Sequence, residues 1–193
     1  MRSLCVFCGS SHGNAPVFAA AARELGEALA ARDIELVYGG SHVGLMGVVA
    51  DAALAKGGRV TGVLPRFMAD KELAHPGLTK LHLVETMHER KQLMAERAEG
   101  FVALPGGFGT LEEIFEAVTW AQLHLHRFPC ALLNVDGYFN SLAQFLKTSV
   151  ARGFVRAEQA GALIVAAGVP ELFDRFAHFR PAVSEKWIPK RMI

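Results

Sequence analysis

A short apolar run, a glycine-rich turn and a helical pattern follow one another three times in this chain. The clearest copy begins at Phe101–Leu104, continues through P-G-G-F-G, and enters a helical pattern that opens at Thr110. Short apolar runs bounded by turn residues are typical of buried strands, and apolar residues spaced three and four apart are typical of helices. Each copy therefore predicts a strand, a tight turn and a helix.

Strand and helix patterns alternate along the rest of the chain. Further strands are predicted at Leu4–Cys8, Ile34–Tyr38, Arg59–Leu64, Leu81–Val84, Cys130–Val135 and Leu163–Ala166. Helices are predicted at Ala15–Arg32, Leu45–Lys56, Thr86–Glu99, Tyr138–Arg152 and Pro170–Phe179, and from Thr110 to about His124. A helix that connects two parallel strands makes a right-handed crossover, and successive crossovers cover both faces of the sheet. We therefore expect an α/β fold, a doubly wound parallel sheet in a three-layer α/β/α sandwich.

Two stretches lack a clear pattern. Pro65–Thr79 is expected to be a long surface loop with a short helical turn around Asp70–Ala74, and long loops at strand ends commonly carry function. The tail at 180–193 is basic and contains Trp187 and Pro189. We expect this tail to lie on the surface of the domain or on a partner subunit.

The glycine turns at Gly9, Gly39–Gly47 and Gly106–Gly109 all follow predicted strands. In open parallel sheets, ligands bind outside the carboxyl ends of the strands, where the winding reverses, so the turns can converge on one crevice. A glycine turn at a helix N-terminus presents free N–H groups and the positive end of the helix dipole, which suit a phosphate. Neither G-x-G-x-x-G nor G-x-x-x-x-G-K-[ST] is present, so a mononucleotide or sugar phosphate is favoured over NAD or ATP.

The composition argues against several classes of protein. Twenty basic and nineteen acidic residues leave a net charge of +1, which is too little for a nucleic-acid-binding surface. The 193 residues, 51% of them apolar, suit one globular domain spanning 1–193. No apolar run approaches about 18 residues, the N-terminus lacks a signal-peptide core, and three cysteines do not indicate a disulfide scaffold. We expect a cytoplasmic protein that does not associate with membranes.

Glu113 lies one turn into the helix after the third glycine turn, and two interpretations are open. Thr110–Glu113 matches the capping box T-x-x-E, whose side chains only bond the free amides of a helix end. A carboxylate beside a phosphate can instead contact the ribose, orient water or stabilise positive charge on the sugar. In the cluster H-E-R-K, residues 88–91, the alternatives are a solvated face and an Arg90 that points toward substrate or Glu113.

Redox and metal chemistry are not favoured. Cys5 and Cys8 form a C-x-x-C, but both lie within a predicted strand, whereas a redox pair needs a thiolate at a helix N-terminus. Buried small side chains are therefore expected. His124 and His126 have no Cys, Asp or Glu at ligand spacing, so no metal site is expected.

The joint pattern of H-E-R-K and L-P-G-G-F-G-T-L-E-E resembles the LOG ("lonely guy") family of phosphoribohydrolases. The resemblance continues through C-V-F-C-G-S-S, Y-G-G-S-H-V-G-L-M-G, T-W-A-Q-L and L-L-N-V-D-G-Y-F-N. It implies a Rossmann-like nucleotide-binding fold and hydrolysis of the N-glycosidic bond of adenosine 5′-monophosphates, releasing cytokinin base or adenine and ribose 5-phosphate. No cofactor is implied, and family members of this length are usually homodimers with active sites near the interface. Relatives are often labelled lysine decarboxylases, but no lysine with a partner acid for pyridoxal phosphate can be assigned.

The resemblance also implies roles for particular residues. It makes Arg90 and Glu113 catalytic. Substrate contacts are implied at Glu72, Lys91, Gly107, Phe108, Gly109, Thr110, Leu111, Glu112 and Thr119, and at Gly9, Ser10, Gly40 and Ser41 in the turns of the crevice. In the implied mechanism the glycine turn holds the phosphate, while the Glu113 carboxylate stabilises oxocarbenium charge and orients water.

Alternatives remain within and beyond this resemblance. A nucleotide- or cofactor-binding carrier without turnover is the second class, and plain AMP competes with N6-modified AMP as substrate. Two positions depart from the family pattern: His124 replaces a common glycine, and Phe128 replaces a usual lysine. Both departures lie beyond the catalytic motif, where they can alter base preference or dimer contacts.

Overall fold

The computed structural model describes residues 1–69, 71 and 73–181. The strands are β1 (Ser3–Phe7), β2 (Glu35–Tyr38), β3 (Val60–Pro65), β4 (Lys80–Val84), β5 (Phe101–Ala103), β6 (Cys130–Leu133) and β7 (Leu163–Ala166). The helices are α1 (Pro16–Ala31), α2 (Gly44–Ala55), α3 (Arg66–Ala69), α4 (Met87–Glu96), α5 (Phe108–Gln122), α6 (Asn140–Ala151), α7 (Ala157–Gly161) and α8 (Val169–His178), with a 3-10 turn at Val135–Gly137. Each predicted strand and long helix is present, with ends shifted by a few residues.

Seven strands form one sheet in the order β4-β3-β2-β1-β5-β6-β7. All neighbouring pairs are parallel. The chain winds outward from β1 to β4, returns to pair β5 with β1, and then winds outward to β7. The predicted doubly wound parallel sheet is therefore confirmed, and the reversal between β1 and β5 is the switch point at which such sheets bind ligands.

Helices cover both faces of the sheet and enclose two apolar cores. One core packs α1, α2 and α8 against the sheet through residues such as Leu25, Val49 and Leu172. The other packs α4 and α5 against the opposite face through Met94 and Ile114. This confirms the three-layer arrangement that the alternation of strands and helices predicts.

The irregular stretch after β3 begins with a short helix, Arg66–Ala69. The predicted helical turn around Asp70–Ala74 falls partly outside the described residues. Asp70 and Glu72 lie outside the described residues, as does the tail beyond Pro181. Within the described part of the chain, no helix combines the length and apolar character needed to cross a membrane.

Candidate active site

The glycine turns meet at the carboxyl edge of the sheet. The amide of Gly9, after β1, donates to the carbonyl of Pro105, after β5, at 3.1 Å. The amide of Leu45, in the first turn of α2, donates to the carbonyl of Gly9 at 3.0 Å. These two bonds join the three turns at the switch point. The turns therefore form one crevice, as the sequence predicts.

The N-terminus of α5 forms the open side of this crevice. Gly107 is the residue that precedes the helix, and as a glycine it has no side chain that could cap the helix. Phe108, Gly109 and Thr110 are the first helical residues, so their N–H groups have no acceptor within the helix. Gly107 and Gly109 have open space where a side chain would begin, whereas Thr110 is buried. The turn therefore presents to an anion both the positive end of the helix dipole and N–H donors that have no acceptor in the described part of the chain.

Arg90 and Glu113 form a shielded ion pair beside this turn. Nη1 of Arg90 lies 3.0 Å from Oε1 of Glu113, and the two side chains are 9% and 11% exposed. Nε of Arg90 donates to the carbonyl of Val63 in β3 at 3.1 Å. Because one edge of the guanidinium is bound to the sheet and another to the carboxylate, the orientation of the pair is fixed before any substrate arrives.

Glu113 does not cap α5, so the capping-box interpretation is wrong. The helix begins at Phe108 rather than at Thr110, which places Glu113 in its second turn. The residue is therefore beyond the free amides at the helix end. Its carboxylate pairs with Arg90 instead.

Burial raises the pKa of the Glu113 carboxyl above the usual range of a glutamate. The guanidinium of Arg90 opposes this shift, and the neighbouring carboxylate of Glu112 reinforces it. A carboxylate taken out of water interacts more strongly with nearby charge than an exposed one does. Glu113 is thus suited to respond to positive charge that develops on a substrate.

Gly39 makes room for Arg90, and sequence reasoning did not single it out. A Cβ atom at this position would overlap Nη2 of Arg90, so the guanidinium would have to move to accommodate any side chain. The adjoining glycine pair at residues 39 and 40 was the available signal. The need for a glycine at position 39 becomes clear only from the structure, in which α4 packs over β2 and β3.

Lys91 lies between two carboxylates of α5. Its ammonium is 2.5 Å from Glu112 and 3.0 Å from Glu116. Burial alone would lower the pKa of Lys91, but the hydrogen bonds to Glu112 and Glu116 outweigh burial and raise the pKa. Glu116 was missed by sequence reasoning, although its four-residue spacing from Glu112 places both on one helix face.

The second glycine turn is tied to the irregular loop. The carbonyl of Gly40 accepts from the amide of His75 at 3.0 Å, and Ser41 forms an isolated antiparallel bridge with Ala74. The hydroxyl of Ser41, which is buried, accepts from the amide of Val43. These bonds hold the second glycine turn against the irregular loop, and the substrate contacts at Gly40 and Ser41 stay predictions.

The remaining predicted contacts are placed differently. Ser10 is exposed next to Gly9, and Leu111 is partly buried against the α4–α5 core. Thr119 lies near the far end of α5, and its hydroxyl donates to the carbonyl of Phe115. The structure does not bring Thr119 to the glycine turn of its own chain. Glu72 lies outside the described residues, so the substrate contacts at these positions stay predictions.

The cysteines are buried and free. Burial, reinforced by the nearby Glu113 carboxylate, raises the pKa of the Cys5 and Cys8 thiols. Both thiols are therefore held protonated, which disfavours the nucleophilic and redox chemistry of a thiolate. This agrees with the interpretation of the C-x-x-C as strand core.

Comparison with known proteins identifies the family. A family model described as "Possible lysine decarboxylase" matches residues 46–176. Cytokinin riboside 5′-monophosphate phosphoribohydrolase LOG7 of Arabidopsis thaliana is 44% identical over 184 residues, which cover 95% of this chain and 85% of the relative. The chain belongs to the LOG family.

Further relatives agree with this assignment. In the LOG family, a probable cytokinin riboside 5′-monophosphate phosphoribohydrolase, LOGL2 of Oryza sativa subsp. japonica, is 44% identical over 180 residues, covering 93% of this chain and 74% of the relative. A molybdenum cofactor binding protein from Rippkaea orientalis superposes with a TM-score of 0.71 over 92% of this chain and 97% of its own, at 16% identity. The Moco carrier protein of Chlamydomonas reinhardtii superposes with a TM-score of 0.68 over 91% and 95%, at 22% identity. At these identities the two structures support the fold alone.

Proposed function

We propose that this chain hydrolyses the N-glycosidic bond of adenosine 5′-monophosphates, plain or N6-modified, and releases the free base and ribose 5-phosphate. One observation carries the proposal: α5 bears an open anion-binding turn at its N-terminus and, in its second turn, a buried carboxylate paired with Arg90. Relatives at 44% identity that bear the name of this activity support it.

In this mechanism the phosphate is bound at the N-terminus of α5. Its oxygens accept hydrogen bonds from the free amides of Gly107, Gly109 and Thr110, and the helix dipole favours the negative charge. Glu113 lies six residues beyond Gly107, about 9 Å along the helix axis. This spacing leaves room for a ribose between the bound phosphate and the carboxylate.

Glu113 acts on the reacting sugar. As the bond from C1′ to N9 breaks, the base leaves with the bonding electrons and the ribose gains oxocarbenium character. The buried Glu113 carboxylate stabilises that positive charge and orients the water whose oxygen bonds to C1′, and the proton that this water loses is balanced by the proton that the released base gains. Arg90 fixes the carboxylate and contacts the ribose, and the anchored phosphate lets remote binding energy assist the reaction.

The geometry does not favour a lysine decarboxylase. A lysine that forms a Schiff base must lose its proton to become a nucleophile. Lys91 is bound between Glu112 and Glu116, and these bonds raise the pKa of its ammonium. Its position suits a charged contact that supports the α4–α5 pairing around Arg90.

We also propose that the chain forms a homodimer and acts in the cytoplasm. None of the residues of α6, all of which are described, is fully buried, and Phe145 on this helix is exposed. Beyond α5, Leu125 is 69% exposed, and Leu123 and Phe128 are also exposed. A second copy of the chain that covers this apolar surface would place its contacts close to the α4–α5 side on which Arg90 and Glu113 lie.

Base release from AMP and from N6-isopentenyl-AMP tests the proposal. We expect purified protein to release adenine and isopentenyladenine, and Glu113→Gln to lower kcat by about a hundredfold or more, because an uncharged amide cannot offset the oxocarbenium charge. Glu24→Gln, an exposed carboxylate on α1, is the matched control and should retain full rate. The ratio of kcat/KM for the two substrates assigns the base.

Two outcomes would contradict the proposal. Full activity in Glu113→Gln would remove the assigned mechanism. Tight nucleotide binding in calorimetry, without product over hours, would favour a nucleotide carrier instead.

A further inference from the structure

The motif L-L-N-V-D-G-Y-F-N follows β6 and contacts the glycine turn directly. The hydroxyl of Tyr138 donates to the carbonyl of Gly106 at 2.8 Å, across 32 residues of sequence. Gly106 immediately precedes Gly107, at which the anion-binding turn of α5 begins. No role in the mechanism above uses Tyr138.

Packing fixes the position of the Tyr138 hydroxyl. The ring contacts Phe18 of α1 and Phe139 edge to face, with centroid distances of 6.0 and 5.0 Å. The side chain of Asn134 accepts from the amide of Phe139 at 2.7 Å and so braces the turn that carries the ring. Although Tyr138 is 47% exposed, its hydroxyl reaches Gly106 from a rigid base.

The bond to Gly106 determines which way the next amide points. In a planar trans peptide the carbonyl of one residue and the N–H of the following residue point in opposite directions. With the carbonyl of Gly106 bound to Tyr138, the N–H of Gly107 is directed away from Tyr138, and it has no acceptor among the described residues. Because glycine flanks this peptide on both sides, few steric barriers oppose its rotation.

We propose that Tyr138 is a positioning residue of the phosphate-binding turn, whose hydroxyl keeps the Gly106–Gly107 peptide from presenting its carbonyl to the phosphate. A rotated peptide replaces a donor with an acceptor that repels the anion. This inference rests on the proposed function, because the ligand of the turn is taken to be the phosphate of a nucleoside monophosphate.

The chain provides a matched control, since it contains two tyrosines. The hydroxyl of Tyr38 is buried and has no hydrogen-bond partner among the described residues. Tyr38→Phe and Tyr138→Phe therefore each remove one hydroxyl group. Tyr38→Phe breaks no hydrogen bond among the described residues, whereas Tyr138→Phe breaks the bond to Gly106. A comparison of the two separates the bond from the general effect of losing a hydroxyl.

Calorimetry with ribose 5-phosphate and kinetics with AMP test the inference. For Tyr138→Phe we expect the dissociation constant of ribose 5-phosphate and the KM of AMP to rise about two- to tenfold, the range of one hydrogen bond. Inhibition by adenosine, which lacks the phosphate, should not change, and Tyr38→Phe should match the unmodified protein in each measurement.

Three results would overturn it. Unchanged ribose 5-phosphate binding in Tyr138→Phe, equal weakening of adenosine, or an equal effect of Tyr38→Phe would each show that the hydroxyl does not position the turn. If the unmodified protein bound neither AMP nor ribose 5-phosphate, the proposed function would fail first, so the two failures are distinguishable. Thermal unfolding of both variants verifies that each is folded.

Discussion

Gly39 leaves room for the guanidinium of Arg90 in its present position. We expect Gly39→Ala to displace Arg90 from Glu113, since the added methyl group would overlap Nη2. Small misplacements of catalytic groups reduce rates by about a hundredfold. The measurement is kcat/KM for AMP, with thermal unfolding to verify that the variant is folded.

Gly161→Ala is the matched control for this substitution. Gly161, in α7, has open space where a methyl group would be added. The kcat/KM of the Gly161→Ala variant should equal that of the unmodified protein. A folded Gly39→Ala variant with unchanged kcat/KM would show that the close approach of Arg90 has no catalytic consequence.

At the level of elements, the buried His75 joins the irregular loop to α2 through hydrogen bonds. Nδ1 of His75 accepts from the amide of Gly77 at 3.1 Å, which leaves Nε2 to donate to Oδ1 of Asp51 in α2, 3.0 Å away. The backbone of the same loop bonds to Gly40. His75 therefore links α2, the loop and the second glycine turn.

We expect His75→Ala to lower the free energy of unfolding by about 2 kcal/mol, because two hydrogen bonds and the packing of a buried ring are lost. Urea denaturation measures this change. Asp51→Asn retains an oxygen that can accept from Nε2 and should lower the free energy by less than about 1 kcal/mol. Equal stabilities of the two variants would contradict the linking role of the ring.

Two helix ends show why local patterns were not enough to place α5. The spacing T-x-x-E occurs twice, and at Thr86–Glu89 the hydroxyl of Thr86 does accept from the amide of Glu89 and caps α4. At Thr110–Glu113 the same spacing caps nothing, because the glycine turn lets the helix begin at Phe108. Only packing of Thr110 against the turn distinguishes the two.

The other end of α5 bears on the glycine that the family resemblance implies in place of His124. His124 has a φ of 61°, and the amides of His124 and Leu125 donate to the carbonyls of Ala121 and Trp120. This is the Schellman arrangement, in which glycine is the usual residue because its left-handed backbone carries no Cβ penalty. The glycine that the family resemblance implies at this position would thus have a structural reason, which a single sequence does not reveal.

At the level of the whole molecule, the exposed apolar surface near the end of α5 predicts self-association. We expect the protein to sediment at twice its chain mass of 20.9 kDa. Leu125→Glu should shift it toward the monomer, because a carboxylate would be buried against the partner. Analytical ultracentrifugation over a range of concentrations measures this equilibrium.

Val17→Glu is the control for this prediction. Val17 is also exposed, but it lies on α1, on the opposite face of the sheet. This variant should remain dimeric. A monomeric unmodified protein, or a Leu125→Glu variant that associates as before, would exclude the proposed surface.

The arrangement of the molecule was more predictable from sequence than the contacts within its site. Alternating strands and helices determine a doubly wound sheet, and turns at strand ends must then share an edge. The pairing of Arg90 with Glu113 was one of two alternatives that the residues left open, and the family resemblance favoured it. Gly39, Glu116 and Tyr138 were missed because their roles arise from contacts between distant segments, which no spacing along the chain encodes.

The placement of the anion-binding turn and Glu113 on one helix has a consequence for substrate selection. A helix is stiff, so the separation of the two groups is a fixed length, and the substrate must match it. One residue inserted between Gly107 and Glu113 would rotate the carboxylate by about 100° around the axis. Under the proposed function, α5 fixes the distance that a substrate must have between its phosphate and its anomeric carbon. A ligand with a longer phosphate chain would place a different atom at the carboxylate.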